Sequence, residues 1–217
     1  SKYEICFTLS EREMKNSKLR FLQNLKKPES SAYGKAQLRG MNNRYSLLSS
    51  WGFSHVFFTR KRLVLDVGCG GGKNLQRILN HSKSINAIGI DISPASVKMS
   101  TRKNRRAVKS GRLQVVQGSV EALPFASNLF DLVTAVESVH YWEIEKGLSE
   151  VYRTLKKGGQ LLIVNETQSS DGLDEYLAEV GFKVYTAKQL ENFLKQTGFK
   201  KIRTDVNENG KWIAVVA

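Results

Sequence analysis

The chain has 217 residues and a formal net charge of +14, from 34 Lys and Arg against 20 Asp and Glu. That length supports one domain with a substantial core, and no run of 18 apolar residues exists to suggest a membrane span. Cys6 and Cys69, with three scattered histidines, form no disulfide or metal pattern, and Ser1-Lys2-Tyr3-Glu4 lacks the apolar segment of a signal peptide, so a reduced cytoplasmic protein without a metal site is expected.

Residues 10–27 read as a helix with Leu19, Leu22 and Leu25 on a loosely apolar side, and Lys27-Pro28-Glu29-Ser30-Ser31 breaks it. Residues 35–58 are expected to hold one or two short helices leading into the fold. From residue 62 strands and helices alternate. Strands are predicted near 62–67, 86–90, 112–117, 130–136, 160–165, 200–206 and 211–217, and helices near 73–81, 94–109, 144–156 and 187–197. This rhythm predicts an α/β fold, a mainly parallel sheet with helices on both faces. Asn207-Glu208-Asn209-Gly210 is too short for a parallel crossover, so the last strand is expected to run antiparallel.

The densest information lies in Leu63-Val64-Leu65-Asp66-Val67-Gly68-Cys69-Gly70-Gly71-Gly72-Lys73-Asn74. Glycines crowded at a strand end cost backbone entropy, which points to a ligand approaching the main chain closely. A dinucleotide fingerprint fails on spacing, because its third glycine would fall on Lys73 or Leu75. A P-loop fails too, because its first glycine would be Val67 and Asn74 replaces the magnesium-binding Ser or Thr. What remains is Asp66-x-Gly68-x-Gly70-x-Gly72, an acid followed by alternating glycines and suited to face a cationic ligand. A second strand, Asn86 to Ile90, ends in Asp91, twenty-five positions after Asp66. That is close to the spacing at which an acid accepts hydrogen bonds from both ribose hydroxyls. Ile92 follows and could pack on a base, and Ser93-Pro94 reads as an N-cap with proline at the first helical position.

These residues resemble the class I S-adenosylmethionine-dependent methyltransferases. The likeness continues in Gln117 to Phe125, Phe130 to Ser138, Glu150 to Gly159 and Leu161 to Glu166, five ordered blocks in all, covering roughly residues 34–217. Within the class the chain looks most like small bacterial enzymes of the group that includes ubiquinone/menaquinone-type methyltransferases. The resemblance implies a Rossmann-like, doubly wound seven-stranded sheet with a reversed last strand. It also implies residues 1–58 as a helical extension or lid and 59–217 as the S-adenosylmethionine-binding part of the same domain. Asp66, Gly68, Cys69, Gly70 and Gly72 would hold the methionine portion, Asp91 the ribose, and Ile92, Ser119 and Val120 the adenine. The family often has Asp where Ser119 stands, so the hydroxyl would accept from the base without charge assistance.

Glu137, at the end of the fourth strand, is counted among the cofactor contacts and also, with His140 and Tyr141, among the candidate catalytic groups. Methyl transfer from a sulfonium is an in-line displacement, for which a protein mainly supplies alignment and water exclusion. A base is needed only when the acceptor must lose a proton, and His140 has the most suitable intrinsic pKa. Tyr141-Trp142 could be core or a platform for a flat acceptor, Glu166 could face the acceptor, and Trp51 is read as lid or core. Cys69 as a nucleophile is rejected, since little nearby would lower its pKa. Acceptor selection is expected in residues 1–58 and 166–185.

The expected reaction converts S-adenosyl-L-methionine to S-adenosyl-L-homocysteine while methylating a small molecule. Charge motivates an alternative. Residues 1–62 carry net +9 and residues 63–110 net +7, with the densest run from Lys98 to Arg112. Such surface can attract nucleic acid or anionic lipid, which suggests an RNA or protein methyltransferase. No RNA-binding module or aromatic interleaving accompanies the charge, and Glu137-Ser138-Val139-His140 lacks the Asn/Asp-Pro-Pro-aromatic tetrad of adenine N-methylation. A non-catalytic S-adenosylmethionine-binding protein is the remaining alternative.

Overall fold

Strand β1, Leu63–Val67, is apolar except for Asp66 and has neighbours on both edges. The computed structural model describes residues 11–59, 62–167, 177 and 179–217. Cys6 and most of the 166–176 stretch lie outside them. The other strands are β2 Asn86–Asp91, β3 Leu113–Gln117, β4 Phe130–Val136, β5 Leu155–Glu166, β6 Arg203–Val206 and β7 Trp212–Val216. They form one sheet in the order β3-β2-β1-β4-β5-β7-β6. Pairs from β3 through β5 are parallel, and β7 runs antiparallel to both β5 and β6. The reversed last strand therefore lies inside the sheet, between β5 and β6. The chain leaves β1 towards β2 and later returns to β4 on the other edge of β1. This is a topological switch point, where open α/β sheets form their ligand crevice.

The helices are α1 Glu11–Lys26, α2 Ala32–Arg44, α3 Ser46–Phe53, α4 Lys73–His81, α5 Pro94–Lys103, α6 Arg105–Lys109, α7 Ile144–Thr154 and α8 Ala187–Thr197. Strand alternation divides the core in two. Leu65, Val133, Ile163 and Val215 point to one face and meet Leu148 and Val151 of α7 and Leu190 and Leu194 of α8. Val64, Leu132, Leu162 and Ala214 point to the other and meet Leu48 and Phe53 of α3 and Leu75 and Ile78 of α4. On the second face a Cβ at Gly52 would collide with the Val164 side chain, so this glycine lets α3 lie close on β5. A third cluster joins Leu22 of α1 to Val180 and Phe182, with Leu25 and Tyr141 packed against it.

Local chemistry sets the boundaries. Ser93 accepts from the Ser96 N–H with Pro94 at the first helical position, and Thr186 with Gln189 forms a capping box before α8. Beyond small shifts such as the start of β6 at Arg203 instead of near 200, two departures from the sequence-based expectation stand out. The helix predicted over 94–109 is split at Asn104, whose buried side-chain amide donates to Gly72 O at 2.9 Å and Ser100 O at 3.0 Å. A side chain that bonds locally to carbonyls competes with helix continuation, and here it also ties α5 to the glycine loop. Strand β5 starts at Leu155 instead of near 160. Leu155 already pairs with Phe130, and a register shift separates this pair from Leu132 and Gln160. Lys156 Nζ reaches Asp131 Oδ1 at 2.9 Å and extends the contact between the strands.

Leu65 is completely buried in the central strand. Leu65→Ala is expected to cost about 2–5 kcal/mol of stability in urea unfolding, from lost transfer energy plus a cavity. Leu47→Ala on α3, where the side chain is 72% exposed, should change stability by less than about 0.5 kcal/mol.

Candidate active site

The carboxyl ends of β1, β2 and β4 surround a cavity of about 440 Å³. Val67, Gly68 and Gly70 contribute from β1 and its loop, and Ile90, Asp91 and Ile92 from β2. Ser119, Val120 and Glu121 come from the turn after β3, and Glu137, Ser138, Tyr141 and Trp142 from beyond β4. Leu25, Leu38 and Met41 of the N-terminal helices and Pro28 between them also line it, with the charged Lys26, Glu143 and Lys146 among the remaining lining residues. The 3₁₀ turns Val120–Ala122 and Val139–Tyr141 bring the last groups into place.

The glycines of the loop have different tasks. A Cβ at Gly68 would strike Ser138, one at Gly71 would strike the Asn42 side chain, and one at Gly72 would strike Ser100 and Asn104. These three permit close packing of the protein on itself. At Gly70, with φ +51°, an added Cβ would meet no protein atom nearer than 4.0 Å, and the residue lines the cavity. Gly70 is therefore the place where a ligand can press on the main chain. The amides of this loop are mostly used within the protein. Gly68 N–H and Cys69 N–H donate to Ile90 O, Gly72 N–H to Cys69 O, and Gly70 N–H to Asp91 Oδ2. A phosphate cradle needs several free N–H groups converging on one point, so the hydrogen bonding agrees with the spacing that excluded phosphate.

Asp91 is 7% exposed and lines the cavity. Its Oδ2 accepts from Gly70 N–H at 2.8 Å and its Oδ1 from Ser93 N–H at 2.9 Å. Burial raises its pKa, and the two backbone donors oppose the rise. Each carboxylate oxygen has a further lone pair to offer. Asp66 is 1% exposed and lies outside the cavity lining. Its Oδ1 accepts from Thr134 Oγ1 at 2.7 Å and its Oδ2 has no partner. Burial pushes its pKa up to about 7 against the Thr134 hydrogen bond.

Ile92 and Val120 line the cavity as anticipated, Ile92 half-exposed and Val120 buried. Ser119 lines it too, with its hydroxyl against the Glu121 carboxylate. Glu121 was not singled out in the sequence. Its other oxygen accepts from Glu143 N–H at 3.1 Å, which places a carboxylate beside Ser119 and clamps the turn to the start of α7. Cys69 and Gly72 stay outside the cavity. The Cys69 side chain belongs to the core beside Leu75 and Gly89, and burial drives its thiol well up. Both residues shape the loop from behind.

Beyond β4, Glu137 takes a left-handed conformation with φ 54°, uncommon for a residue with a Cβ and a form of local strain. Its N–H donates to Val164 O at 2.9 Å and its carboxyl accepts from Glu166 N–H. Burial pushes its pKa up to about 8. Tyr141 and Trp142 also face the cavity, and burial raises the Tyr141 phenol. His140, the base favoured by intrinsic pKa, does not line the cavity. It is 1% exposed, its ring stacks on Phe182 with centroids 4.6 Å apart, and Nδ1 lies 2.8 Å from Lys183 O. Burial lowers its pKa. It holds the 182–185 segment in place, a role a sequence does not announce. Glu166 pairs with Arg44 of α2 at 3.0 Å, and Trp51 packs beside Trp212 and His55.

Known proteins resemble this chain in sequence and in fold. The family profile of a methyltransferase domain matches residues 65–163. An uncharacterized methyltransferase of Bacillus subtilis, YdaC, is 30% identical over 156 residues, covering 71% of this chain and 81% of that protein. The chloroplastic 2-methyl-6-phytyl-1,4-hydroquinone methyltransferase of Spinacia oleracea is 28% identical over 145 residues, covering 66% of this chain but 41% of the spinach protein. Among solved structures, a SAM-dependent methyltransferase from Aquifex aeolicus superposes with a TM-score of 0.66 over 84% of this chain and 96% of that one, at 20% identity, a likeness of fold. From the bacterial relative's identity and coverage together with the matched domain, this chain belongs to the class I S-adenosylmethionine-dependent methyltransferases.

Proposed function

We propose that this enzyme methylates a small, largely apolar acceptor held between Glu137, Tyr141, Trp142 and the N-terminal helices. The observation that carries this reading is the shared cavity. Gly70 and Asp91 stand in the same space as Glu137 and Tyr141, with Leu25, Leu38 and Met41 also lining it. The residues fit S-adenosylmethionine. Gly70 leaves the room that a side chain would fill, Asp91 retains lone pairs for vicinal hydroxyls, and the carboxyls of Asp91 and Glu137 in the cavity lining would complement a cationic ligand. Bound there, the cofactor supplies an electrophilic methyl group that needs no activation by the protein.

The chain's own part is positioning. Asp91 orients through hydrogen bonds, and the loop around Gly70 sets the depth of entry. Residues 11–58 act as a lid within the same domain, tied down where Ser93 Oγ donates to Pro28 O at 2.6 Å and where Arg44 pairs with Glu166. This enclosure excludes water from the transfer. Apolar lining and the Tyr141-Trp142 wall suit a flat ring, and the spinach relative, by its name, acts on a hydroquinone. We assign to the ionised form of Glu137, not to His140, the removal of an acceptor proton, because Glu137 faces the cavity and a cationic cofactor beside it would favour its carboxylate over the neutral acid.

Calorimetry should detect binding of S-adenosylmethionine and S-adenosylhomocysteine. Asp91→Ala should weaken both by at least about tenfold, roughly 1.4 kcal/mol, for loss of charged hydrogen bonds and of the brace on Gly70. Unchanged affinity would remove Asp91 from the site. A screen with tritiated methyl donor should label alkyl hydroquinones or other small phenols over total RNA and protein, and label only in RNA or protein would overturn the small-molecule reading. Once such an acceptor is labelled, Glu137→Gln should lower kcat by about 10²–10⁴-fold with little change in KM. A KM effect alone would assign Glu137 to binding.

Glu137 also generates a stability prediction. Its carboxyl keeps its proton in the fold up to about pH 8, whereas an unfolded glutamate loses it near about 4.3. Between these values the unfolded chain binds fewer protons at this site, so its contribution to stability falls as pH rises. Urea unfolding should therefore show Glu137→Gln gaining on the native protein from pH 5 to pH 8.5; a gap independent of pH would contradict the raised pKa.

A further inference from the structure

The most prominent feature that methyl transfer does not use is cationic. Two surface clefts of about 680 Å³ and 660 Å³ meet at Arg102 and Lys103 of α5. Lys35 and Arg39 of α2 and Lys98 of α5 line the first, and Arg105 and Arg106 of α6 line the second. All seven of these side chains are exposed, and among the described residues no Asp or Glu lines either cleft. Among the described residues none of the seven takes part in an ion pair.

The fold gains nothing from this arrangement. Lys35 with Arg39, and Lys98 with Arg102, stand four apart on a helix, where like charges are mildly destabilising. Arg112 in the second cleft is a useful contrast, since it donates to the carbonyls of Leu79, Ser82 and Ile85 and so serves the structure. The seven free cations have no such task. Between them stand neutral groups able to donate and accept, Asn42 and Asn43 in one cleft and Gln76 and Asn80 in the other.

Shape decides which polyanion fits. A bilayer surface is met by a basic face with apolar side chains inserted beside it. Here the charge lines concave clefts, and none of the large exposed apolar side chains, such as Phe57, Leu47 or Tyr152, lines either one. A flexible strand of phosphates can bend into such clefts. We propose that they bind the phosphate backbone of a single-stranded nucleic acid, without sequence preference. Among the described residues no aromatic ring lines them, so affinity is expected to rest on charge without the stacking that strengthens many single-strand sites. Leu38 and Met41, on the same helix as Lys35 and Arg39, line the active-site cavity, and Asn42 packs against Gly71. The strand is thus held beside the cavity, as a tether and not as the methyl acceptor, and the proposal stands whichever acceptor is found.

Fluorescence anisotropy of the full chain with a labelled uridine oligomer of about 20 nucleotides tests this, at salt from about 50 to 200 mM. Binding is expected at low salt, with log K falling linearly against log salt by about 0.7 for each phosphate neutralised. Arg102→Gln with Arg106→Gln should weaken binding at least about tenfold and flatten the slope by about 1.4, two contacts' worth. Lys200→Gln with Lys201→Gln, which removes the same charge from exposed positions outside the clefts, should leave the slope nearly intact. Circular-dichroism melting checks that both variants fold. No binding at low salt, equal loss in both variants, or unchanged binding after the Arg102 and Arg106 changes would each overturn the proposal. So would sedimentation with phosphatidylglycerol vesicles that depends on Arg102 and Arg106 while the oligomer does not bind.

Discussion

The hydrogen bond from Gly70 N–H to the Asp91 carboxylate, 2.8 Å long, fastens the loop after β1 to the end of β2. The other Asp91 oxygen receives Ser93 N–H, so one side chain joins the glycine loop, a strand end and the first turn of α5. The geometry of the cavity depends on this junction. It holds Gly70 in its left-handed conformation facing the open space and leaves Asp91 beside it with accepting capacity. Asn104 reinforces the same junction by donating to Gly72 O. Much of what looks like a ligand motif is therefore also an internal brace. In such a motif a single substitution damages binding both directly and through the loop.

Buried carboxyls give the site its electrostatic character. Asp66 and Asp91 are buried and Glu137 is half-buried, and for each the largest effect is a pKa raised by desolvation. A protein without need of them would lose stability by keeping such groups. A cationic ligand changes the balance, because a positive charge nearby favours the ionised carboxylates. Under the proposed function, the carboxyls that cost stability by burial are the groups that would complement the cationic cofactor. Glu137 adds a strained backbone to this, held by Val164 O and by Glu166 N–H. Since Glu166 also pairs with Arg44, a link runs from an N-terminal helix to the Glu137 carboxyl in the cavity lining.

Two segments remote in sequence meet over the site. Leu22 and Leu25 of α1 pack with Val180, Phe182 and Tyr141, so the regions on which acceptor selection was expected to depend form one surface. His140 is part of that surface's foundation, stacked on Phe182 and bonded near Lys183 O. Its burial explains why the most obvious titratable residue is poorly placed for proton transfer, while a glutamate with an ordinary intrinsic pKa of about 4.3 is moved into the useful range by its surroundings.

The strand–helix rhythm from residue 62 onward, the antiparallel β7 and the Asp66-to-Gly72 loop were legible in the sequence because each is a local pattern. Strands buried on both faces are continuous apolar runs, a four-residue link forbids a parallel crossover, and glycine spacing separates one kind of loop from another. The break at Asn104, the early start of β5, the roles of Cys69, Gly72 and His140 and the entry of Glu121 into the site were not, because each depends on a partner far away in the chain. Glycines at 68, 70, 71 and 72 look alike in sequence, yet only contacts with Ser138, Asn42, Ser100 and Asn104 distinguish packing from ligand approach. The sequence by itself determined the fold class and the methyl donor, since backbone geometry and charge at strand ends are written locally. The tertiary structure decided which carboxyls face the cavity and which cations share a cleft, because burial and convergence exist only once the chain has folded.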